Sequence, residues 1–550
     1  MAMIHNSSKV ASPTEESIIL PMKGLHGDVT ISPTPILINQ SEESDFIDEL
    51  SSSTSTSSEP SPNSSISTDS SCLLSSVVND FVYDLTSQNF LEQTEFLVAD
   101  LNESLSRNSK ITMLPNYNIS PTGQESGEFL VIDLGGSTLR IAVIKIDQAS
   151  DSDDEDRSKR IHILMEKNWT IDNSFKTLDL NFFKFIGSKI HEILCHQDLI
   201  DIRNNIKTGI TWSFPLKTTS YNNGKIVHVS KGYTIHPEIY NQDLKSILES
   251  VLLNEFDLHI DVKSILNDSL AVYSAGAFID KYTKLALVLG TGFNMCCSLS
   301  TSDKMHSDKT LESCDKILFN TELSLFGEHL IKSIATKYDS LIDERFKTFD
   351  FHFKPFMSTD PNTHSIFQPN ELMTSGRYLP ELTRLVLVDL VEAKEIFVNI
   401  SQKEELLSSA YDGFSGELMC FINESTNVDA ITEKLCAQYG WSASEVTIGD
   451  VLTLKKIVQS IVERAAFIVS VSIVSFIKLL QQHNDDHFDS SIINIGYVGS
   501  VLKHFNVYRD LVKQYVNDND DIKRLGVQVD FKLIENSSII GAAIGAAYYS

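Results

Sequence analysis

The sequence predicts a duplicated α/β fold that follows a disordered N-terminal tail. Two widely separated segments, 129–146 and 285–298, each have the pattern of a strand, a glycine turn and a second strand. Long stretches with helical periodicity separate them. The tail is predicted at 1–72, because 15 of the 21 residues at 51–71 are Ser or Thr and no period of 3.6 or 2 is sustained before them.

Composition excludes several classes of protein. The 550 residues include 45 Lys and Arg against 74 Asp and Glu, a net charge of −29, so the chain as a whole repels nucleic acid. With 42% hydrophobic and 22% charged residues, the chain can bury a large core, and its length favours two domains. Its 7 cysteines form no CxxC pair, which favours free thiols in a reducing compartment. We therefore expect a cytoplasmic protein, with a nuclear pool left open.

Two polar segments are expected to be exposed. The tail at 1–72 is either a solvated extension or a regulatory arm that accepts phosphate groups, and we expect it to be dispensable for catalysis. The acidic run DSDDED at 151–156 stands between two strand-like segments and is interpreted as an exposed hairpin loop.

Two further segments predict helices. From 75 to 101 apolar residues recur at helical spacing, which predicts an opening helical segment. At 465–477 about thirteen residues form the most apolar run of the chain, interrupted by serines and flanked by Arg464 and Lys478. This run predicts a buried helix too short to span a membrane, so no membrane partner is expected.

The glycine turns have a composition suited to binding phosphate. In the first, an apolar run ends at Asp133 and leads into Gly135 and Gly136. Glycines at a hairpin tip allow backbone N–H groups to approach an anion, and the next residues add hydroxyl donors and positive charge (Ser137, Thr138, Arg140). An aspartate at the end of a buried strand is costly unless it serves a cation or a hydrogen-bond network. The turn lacks the spacing of a Rossmann or Walker loop, and an ordinary tight turn is the alternative.

The body of the chain, residues 75–550, resembles the eukaryotic hexokinases, within the actin-like sugar kinase superfamily. The resemblance rests on segments that follow the order of that family's motifs: DLGGSTLR at 133–140, GITWSFP at 209–215, SKGY at 230–233, NDS at 267–269, GTGFN at 290–294, NTE at 320–322 and ELMTSG at 371–376. Three shorter segments complete the series: RAA at 464–466, GS at 499–500 and GAA at 541–543.

The resemblance implies a two-lobed fold of the actin-like ATPase and hexokinase type, built from duplicated ribonuclease-H-like domains. Residues 75–280 would form the small-lobe region, with the phosphate and sugar motifs. Residues 281–550 would form the large-lobe region, with the sugar glutamates, the adenosine loop and the final helix. The implied activity is that of a kinase with ATP and Mg²⁺ as cofactors and a small-molecule sugar and ATP as partners. The oligomeric state stays open.

Carried over residue by residue, the resemblance makes Asp268 the base that accepts the proton of the sugar 6-hydroxyl. The residues implied to hold the sugar include amides and carboxylates, which can pair with a ring of hydroxyl groups: Ser213, Phe214, Pro215, Ser230, Lys231, Asn267, Asp268, Asn294, Glu322 and Glu371. The residues implied to bind ATP are mainly glycines and hydroxyl residues: Asp133, Leu134, Gly135, Gly136, Ser137, Thr138, Arg140, Lys167, Gly290, Thr291, Gly292, Gly499, Ser500 and Gly541. Asp133 is implied to reach Mg²⁺ through water.

Departures from the family pattern bear on the substrate. Leu323-Ser324 stands where the family usually has Trp-Gly, Val498 where it has Asp, and Thr138 where it has Asn. Loss of a tryptophan beside a sugar glutamate leaves room for a substituent that glucose lacks. Three blocks, ITMLPNYNISPTG, ILNDSLAVYSAGAF and LIENSSIIGAAIGAA, resemble the N-acetylglucosamine kinases of yeasts. The implied reaction is ATP-dependent 6-phosphorylation of N-acetylglucosamine. The alternatives are a broad-specificity hexokinase or glucokinase, and a sugar-sensing regulatory protein on the same fold.

Overall fold

The computed structural model describes residues 70–107, 109–117, 120–149, 156–172, 175–195, 200, 204–214, 216–227, 229, 233–311, 314–347, 367–484 and 491–550. These residues belong to one of the two units into which the chain divides, 66–550. Most of the predicted tail and of the acidic run at 151–156 lies outside the described residues, together with Pro215, Ser230 and Lys231. The first described helix begins at Ser70, within the last three residues of the predicted tail.

The described strands are β1 Leu114–Asn116, β2 Gly127–Leu134, β3 Thr138–Ile146, β4 Ile161–Thr170, β5 Thr177–Leu178, β6 Ile206–Trp212, β7 Leu216–Ser220, β8 Asn223–Ile226, β9 Thr234–Ile235, β10 Ile260–Leu266, β11 Thr283–Leu289, β12 Phe293–Ser300, β13 Lys316–Asn320, β14 Ile492–Val498 and β15 Gln528–Leu533. The described helices are α1 Ser70–Val82, α2 Ser87–Ser106, α3 Leu180–Leu194, α4 Leu244–Phe256, α5 Asp268–Ile279, α6 Glu328–Ser333, α7 Asp339–Ile342, α8 Pro369–Thr374, α9 Leu379–Glu392, α10 Glu404–Ser408, α11 Gly416–Glu424, α12 Val428–Tyr439, α13 Ile448–Asn484, α14 Ser500–His504, α15 Asn506–Asp518, α16 Asp520–Leu525 and α17 Ser537–Tyr548.

Two large sheets repeat one topology. The first has the order β10-β6-β2-β3-β4, and the second has the order β1-β13-β12-β11-β14-β15. In each, three consecutive strands pair antiparallel, and two later strands join in parallel beside the first of the three. Strand β1 extends the second sheet at its edge. The predicted duplication is therefore present, and both glycine hairpins were predicted correctly.

Helices α5 and α17 lie between the sheets. Helix α17 packs on β2, β6 and β10 of the first sheet, and α5 packs on β11, β12 and β14 of the second. A shared apolar core joins both helices to residues of both sheets, such as Phe129 and Cys296. Two glycines permit this close packing. A Cβ on Gly209 would lie 2.0 Å from the carbonyl oxygen of Ala542, and a Cβ on Gly541 would lie 2.2 Å from that of Ala271.

The apolar run at 465–477 forms the middle of a much longer helix. Helix α13 has 37 residues, so its predicted length was wrong because its ends are amphipathic rather than uniformly apolar. It is the one described helix long and apolar enough to cross a membrane, but its most apolar window is 94% buried within the protein. Burial of this segment was correctly predicted, and α13 is the central helix of the core that includes the second sheet.

The opening helical segment is two helices, α1 and α2, which both pack against α13. Their buried side chains, including Phe81 and Phe90, belong to the core of the second sheet. The predicted boundary at residue 280 assigned these helices to the lobe of the first sheet, whereas they pack with the second. A boundary drawn along the sequence cannot represent contacts between segments so far apart in the chain.

Candidate active site

The first glycine turn presents hydroxyl groups beside a buried carboxylate. Gly135 N donates to the carbonyl oxygen of Thr138 at 2.9 Å and closes the turn. Ser137 and Thr138 are exposed at its tip, whereas Asp133 is 9% exposed. The predicted phosphate loop is therefore a closed hairpin turn with two exposed hydroxyl residues at its tip.

Asp133 is held by a hydrogen-bond network. Its Oδ2 accepts from Arg140 Nε at 3.1 Å and Nη2 at 2.8 Å, and from Ser538 Oγ at 2.7 Å. Arg140 also hydrogen-bonds Ser538 and lies 3.6 Å from Glu166 Oε1. Ser538 belongs to the first turn of α17, so the far end of the chain completes this part of the site. The network compensates the cost of burying the carboxylate.

The second glycine turn meets two other segments. The carbonyl oxygen of Gly290 accepts from the backbone N of Gly376 at 2.8 Å. Gly499, with a φ of +111°, lies so close that a Cβ there would be 2.2 Å from the carbonyl oxygen of Leu289. Thr291 and Ser500 are exposed beside this contact. The predicted nucleotide segments at 290–292 and 499–500 are therefore neighbours in space.

The predicted base begins a helix. Asn267 caps α5 by accepting from Ser269 N at 3.0 Å, and Asp268 Oδ1 accepts from the same N–H at 2.8 Å. The Ser269 hydroxyl donates to Asn267 Oδ1 at 3.0 Å and lies 3.4 Å from Asn320 Oδ1. Asp268 is half-buried at a helix N-terminus, where the helix dipole stabilises a carboxylate.

Asn320 links the predicted sugar residues. Its Oδ1 accepts from Asn294 Nδ2 at 2.8 Å, and its Nδ2 donates to Glu322 Oε1 at 2.7 Å. Glu322 adopts a left-handed conformation, with a φ of 52°. Such a conformation is rare outside glycine and is maintained here by the surrounding bonds.

Glu371 is held against the second glycine turn. Its Oε2 accepts from Phe293 N at 3.1 Å, and a Cβ on Gly292 would lie 2.8 Å from the same oxygen. Phe293 precedes Asn294, so Glu371 and Asn294 are anchored at consecutive positions of one strand. The structure thus joins Asn267, Asp268, Asn294, Glu322 and Glu371 through a few hydrogen bonds and peptide links, next to the predicted nucleotide turn.

Other predicted site residues have varied surroundings. Ser213 N donates to the carbonyl oxygen of Leu134 at 3.1 Å, which joins the sugar segment to the phosphate hairpin. Phe214 is buried against Tyr233, with ring centroids 4.8 Å apart, and burial raises the pKa of Tyr233 to about 12. Lys167 pairs with Glu192 at 3.1 Å. Gly541 contacts Ala271 at the crossing of α17 and α5, so its small size meets a packing requirement.

Sequence reasoning missed several residues of the site. Asn320 belongs to a motif that was noted, but only its glutamate was singled out. Ser538 was not singled out at all, nor were Gln368 and Asn370, which bond to the turn after Glu322. A signal was available for Asn320, because a polar residue that ends a buried strand beside two other site motifs needs hydrogen-bond partners. Nothing local indicates that Ser538 reaches Asp133, since 405 positions separate them.

The site offers few direct ligands for a metal. Among the described residues, no group of three or more His, Cys, Asp and Glu side chains could hold a metal ion. Asp133 is a single carboxylate at the phosphate hairpin, and Arg140 and Ser538 occupy its Oδ2. This arrangement fits Mg²⁺, which commonly retains several waters and is bound through one or two carboxylates and substrate phosphates.

Comparison with known proteins defines the class. The family model for hexokinase matches the chain in two parts, at residues 75–278 and 284–548. The chain belongs to the hexokinase family and is therefore a kinase. A solved hexokinase from Schistosoma mansoni, complexed with glucose, has the same fold, with a TM-score of 0.67 at 22% sequence identity, covering 87% of this chain and 99% of that one. The predicted family and fold are confirmed.

Among curated relatives, this chain is similar to N-acetylglucosamine kinase 1 of Candida albicans. The two are 55% identical over 484 residues, which cover 88% of this chain and 95% of the relative. Glucokinase-1 of Kluyveromyces lactis is 25% identical over 499 residues, which cover 86% of this chain and 97% of the relative.

Proposed function

We propose that the chain transfers the γ-phosphoryl group of ATP, with Mg²⁺, to the 6-hydroxyl of N-acetylglucosamine, giving N-acetylglucosamine 6-phosphate and ADP. The observation that carries the proposal is the hydrogen-bonded set around Asn320, which gathers amides and carboxylates beside Asp268 at the N-terminus of α5. The 55% identity with N-acetylglucosamine kinase 1 supports the choice of sugar.

The sugar would be held by paired donors and acceptors. Asn267, Asn294, Glu322 and Glu371 are all half-buried, so their polar groups are partly removed from water. An analogue that fails to satisfy these groups leaves them unpaired, which costs binding energy. Leu323, which stands where the family usually has tryptophan, is fully buried in the core, so its smaller side chain does not by itself open room beside the sugar.

Asp268 would act as the general base. Its carboxylate accepts the proton as the bond between the sugar 6-oxygen and phosphorus forms and the bond from phosphorus to the ADP oxygen breaks. The bond from Ser269 N orients the carboxylate on a rigid helix end. Asn267 and Asp268 share one helix terminus, so substrate binding and proton transfer are positioned together.

The phosphate groups would be held by the glycine hairpins. Exposed Ser137 and Thr138, backbone N–H groups of the turns and the N-terminus of α17 provide donors for anionic oxygens. When bound, Mg²⁺ offsets the charge of the phosphates, with Asp133 as its protein partner through water. Thr291 and Ser500, which are both exposed, would contact the nucleotide.

We also place the activity in the cytoplasm. The six cysteines whose side chains the structure describes are all free thiols, in agreement with a reducing compartment. Burial raises the pKa of Cys296 and Cys297, so neither is a reactive thiolate at neutral pH.

A coupled assay of ADP release on the purified chain tests the proposal. N-acetylglucosamine, glucose, mannose and N-acetylgalactosamine would be compared at saturating MgATP. We expect the highest kcat/KM for N-acetylglucosamine, with glucose a poorer substrate. A higher kcat/KM for glucose would assign the chain as a general hexokinase, and sugar binding without turnover would favour a sensor; either result refutes the proposal.

A further inference from the structure

The two sugar glutamates lie on separate elements that are fastened to each other. Glu322 precedes a short 3-10 turn, Leu323–Leu325. Glu371 lies in the first turn of α8. The spacing of the two carboxylates therefore depends on how this turn and α8 are joined.

Three hydrogen bonds make the joint. The Ser324 hydroxyl accepts from Gln368 Nε2 at 3.0 Å. Asn370 Nδ2 donates to the carbonyl oxygen of Leu323 at 3.1 Å, and Asn370 N donates to that of Phe326 at 3.2 Å. Leu323, Ser324 and Asn370 are each at most 3% exposed, so water competes little for these bonds.

Gly327 provides independent support for a close joint. Its φ is +110°, and a Cβ there would lie 2.8 Å from Asn370 Oδ1. The chain therefore has glycine where a side chain would displace Asn370. Asn370 Oδ1 is itself buried without a hydrogen-bond partner among the described residues, so its Nδ2 and backbone N make the bonds that hold Asn370 in this joint.

We propose that Ser324, Gln368 and Asn370 are positioning residues that set the spacing of Glu322 and Glu371 and thereby the affinity for the sugar. None of the three needs to touch the substrate. Ser324 holds the turn through its side chain, and Asn370 holds it at both ends. The inference rests on the proposed function, because it takes Glu322 and Glu371 as the sugar carboxylates.

Ser324→Ala removes one bond of the joint at little cost in volume. A hydrogen bond contributes about 0.5–1.5 kcal/mol, so we expect the KM for N-acetylglucosamine to rise by about 2- to 10-fold. The KM for ATP and the melting temperature should change little. Ser470→Ala is the matched control, since its buried hydroxyl also bonds a neighbouring helix of the same core, at the carbonyl oxygen of Val512.

Gln368 separates positioning from general stability. Gln368→Met loses the bond, whereas Gln368→Glu can accept a hydrogen bond from the Ser324 hydroxyl and should retain most of the sugar affinity. In the double variant Ser324→Ala and Gln368→Met, the KM for sugar should equal that of the worse single variant, because both remove one bond. Additive losses would show that the two residues act independently.

Besides additive losses in the double variant, two outcomes overturn the inference. One is a sugar KM for Ser324→Ala no higher than that of Ser470→Ala. The other is an equal rise in the KM for ATP, which would indicate general loosening. If another hexose is the best substrate of the unmodified chain, the proposed function fails, and the same variants measured with that hexose still decide whether the joint positions the carboxylates.

Discussion

Replacement of Asp268 by Asn tests the proposed base with little change to the fold. The amide keeps an oxygen that can accept from Ser269 N, the bond that the carboxylate makes at 2.8 Å. Asn267 still caps the helix. The variant loses one negative charge at the N-terminus of α5, worth about 0.3–1 kcal/mol of stability. It also loses the ability to accept the proton of the sugar 6-hydroxyl.

These two losses differ enough to be separated. General-base assistance typically contributes about 10²–10⁴ in rate, so kcat should fall at least about 100-fold, equivalent to about 2.7 kcal/mol of transition-state stabilisation. Sugar binding should persist, because Asn267, Asn294, Glu322 and Glu371 are unchanged. The assay is steady-state ADP release together with calorimetric titration of N-acetylglucosamine and a thermal melt. Near-normal turnover in a folded, sugar-binding variant would refute the assigned role.

Three further predictions concern stability and the tail. In the unmodified chain Arg464 Nη1 lies 2.6 Å from Asp339 Oδ2, and Arg464→Met leaves this buried carboxylate without its ion-pair partner. The free energy of unfolding in urea should fall by about 3–5 kcal/mol. As a control, the added substitution Asp339→Asn should recover part of the lost stability. Burial, with the charge of Lys110, lowers the pKa of Lys309 to about 7. Above that pH the unfolded chain binds more protons than the folded chain, so the stability of the unmodified chain relative to Lys309→Met should rise between about pH 7 and 10. A fall in relative stability over this range would contradict the prediction. Deletion of residues 1–69 should leave kcat and KM within about twofold; a soluble but inactive product would show that the tail is part of the enzyme.

Local patterns predicted the parts of the fold that depend on local physics. A glycine turn between two alternating strands specifies a hairpin, and both hairpins formed at the expected residues. The predicted nucleotide residues Gly499 and Ser500 lie instead where strand β14 meets helix α14, so they form a strand-to-helix turn. Repetition of the hairpin predicted the duplication, because each unit must bury its sheet in a similar way.

Contacts between distant segments escaped prediction. Nothing near 70–106 indicates that α1 and α2 pack on α13, more than 300 positions away. In the same way, the bonds of Asn320 and Ser538 depend on where whole elements are placed. The family resemblance supplied the predicted site residues, whereas the hydrogen bonds that Asn320 and Ser538 make to them became visible only in the folded chain.

The crossing of α5 and α17 explains why the site forms between the sheets. Gly541 meets Ala271 at this crossing, and each of them is about one turn from the N-terminus of its helix. The two N-termini therefore lie close together, one bearing Asp268 and the other donating to Asp133 through Ser538. Partial positive charge at both ends lowers the cost of two carboxylates there and favours an anionic substrate between them. Because each helix packs on a different sheet, any shift of one sheet relative to the other changes the separation of the proposed base from the proposed phosphate loop.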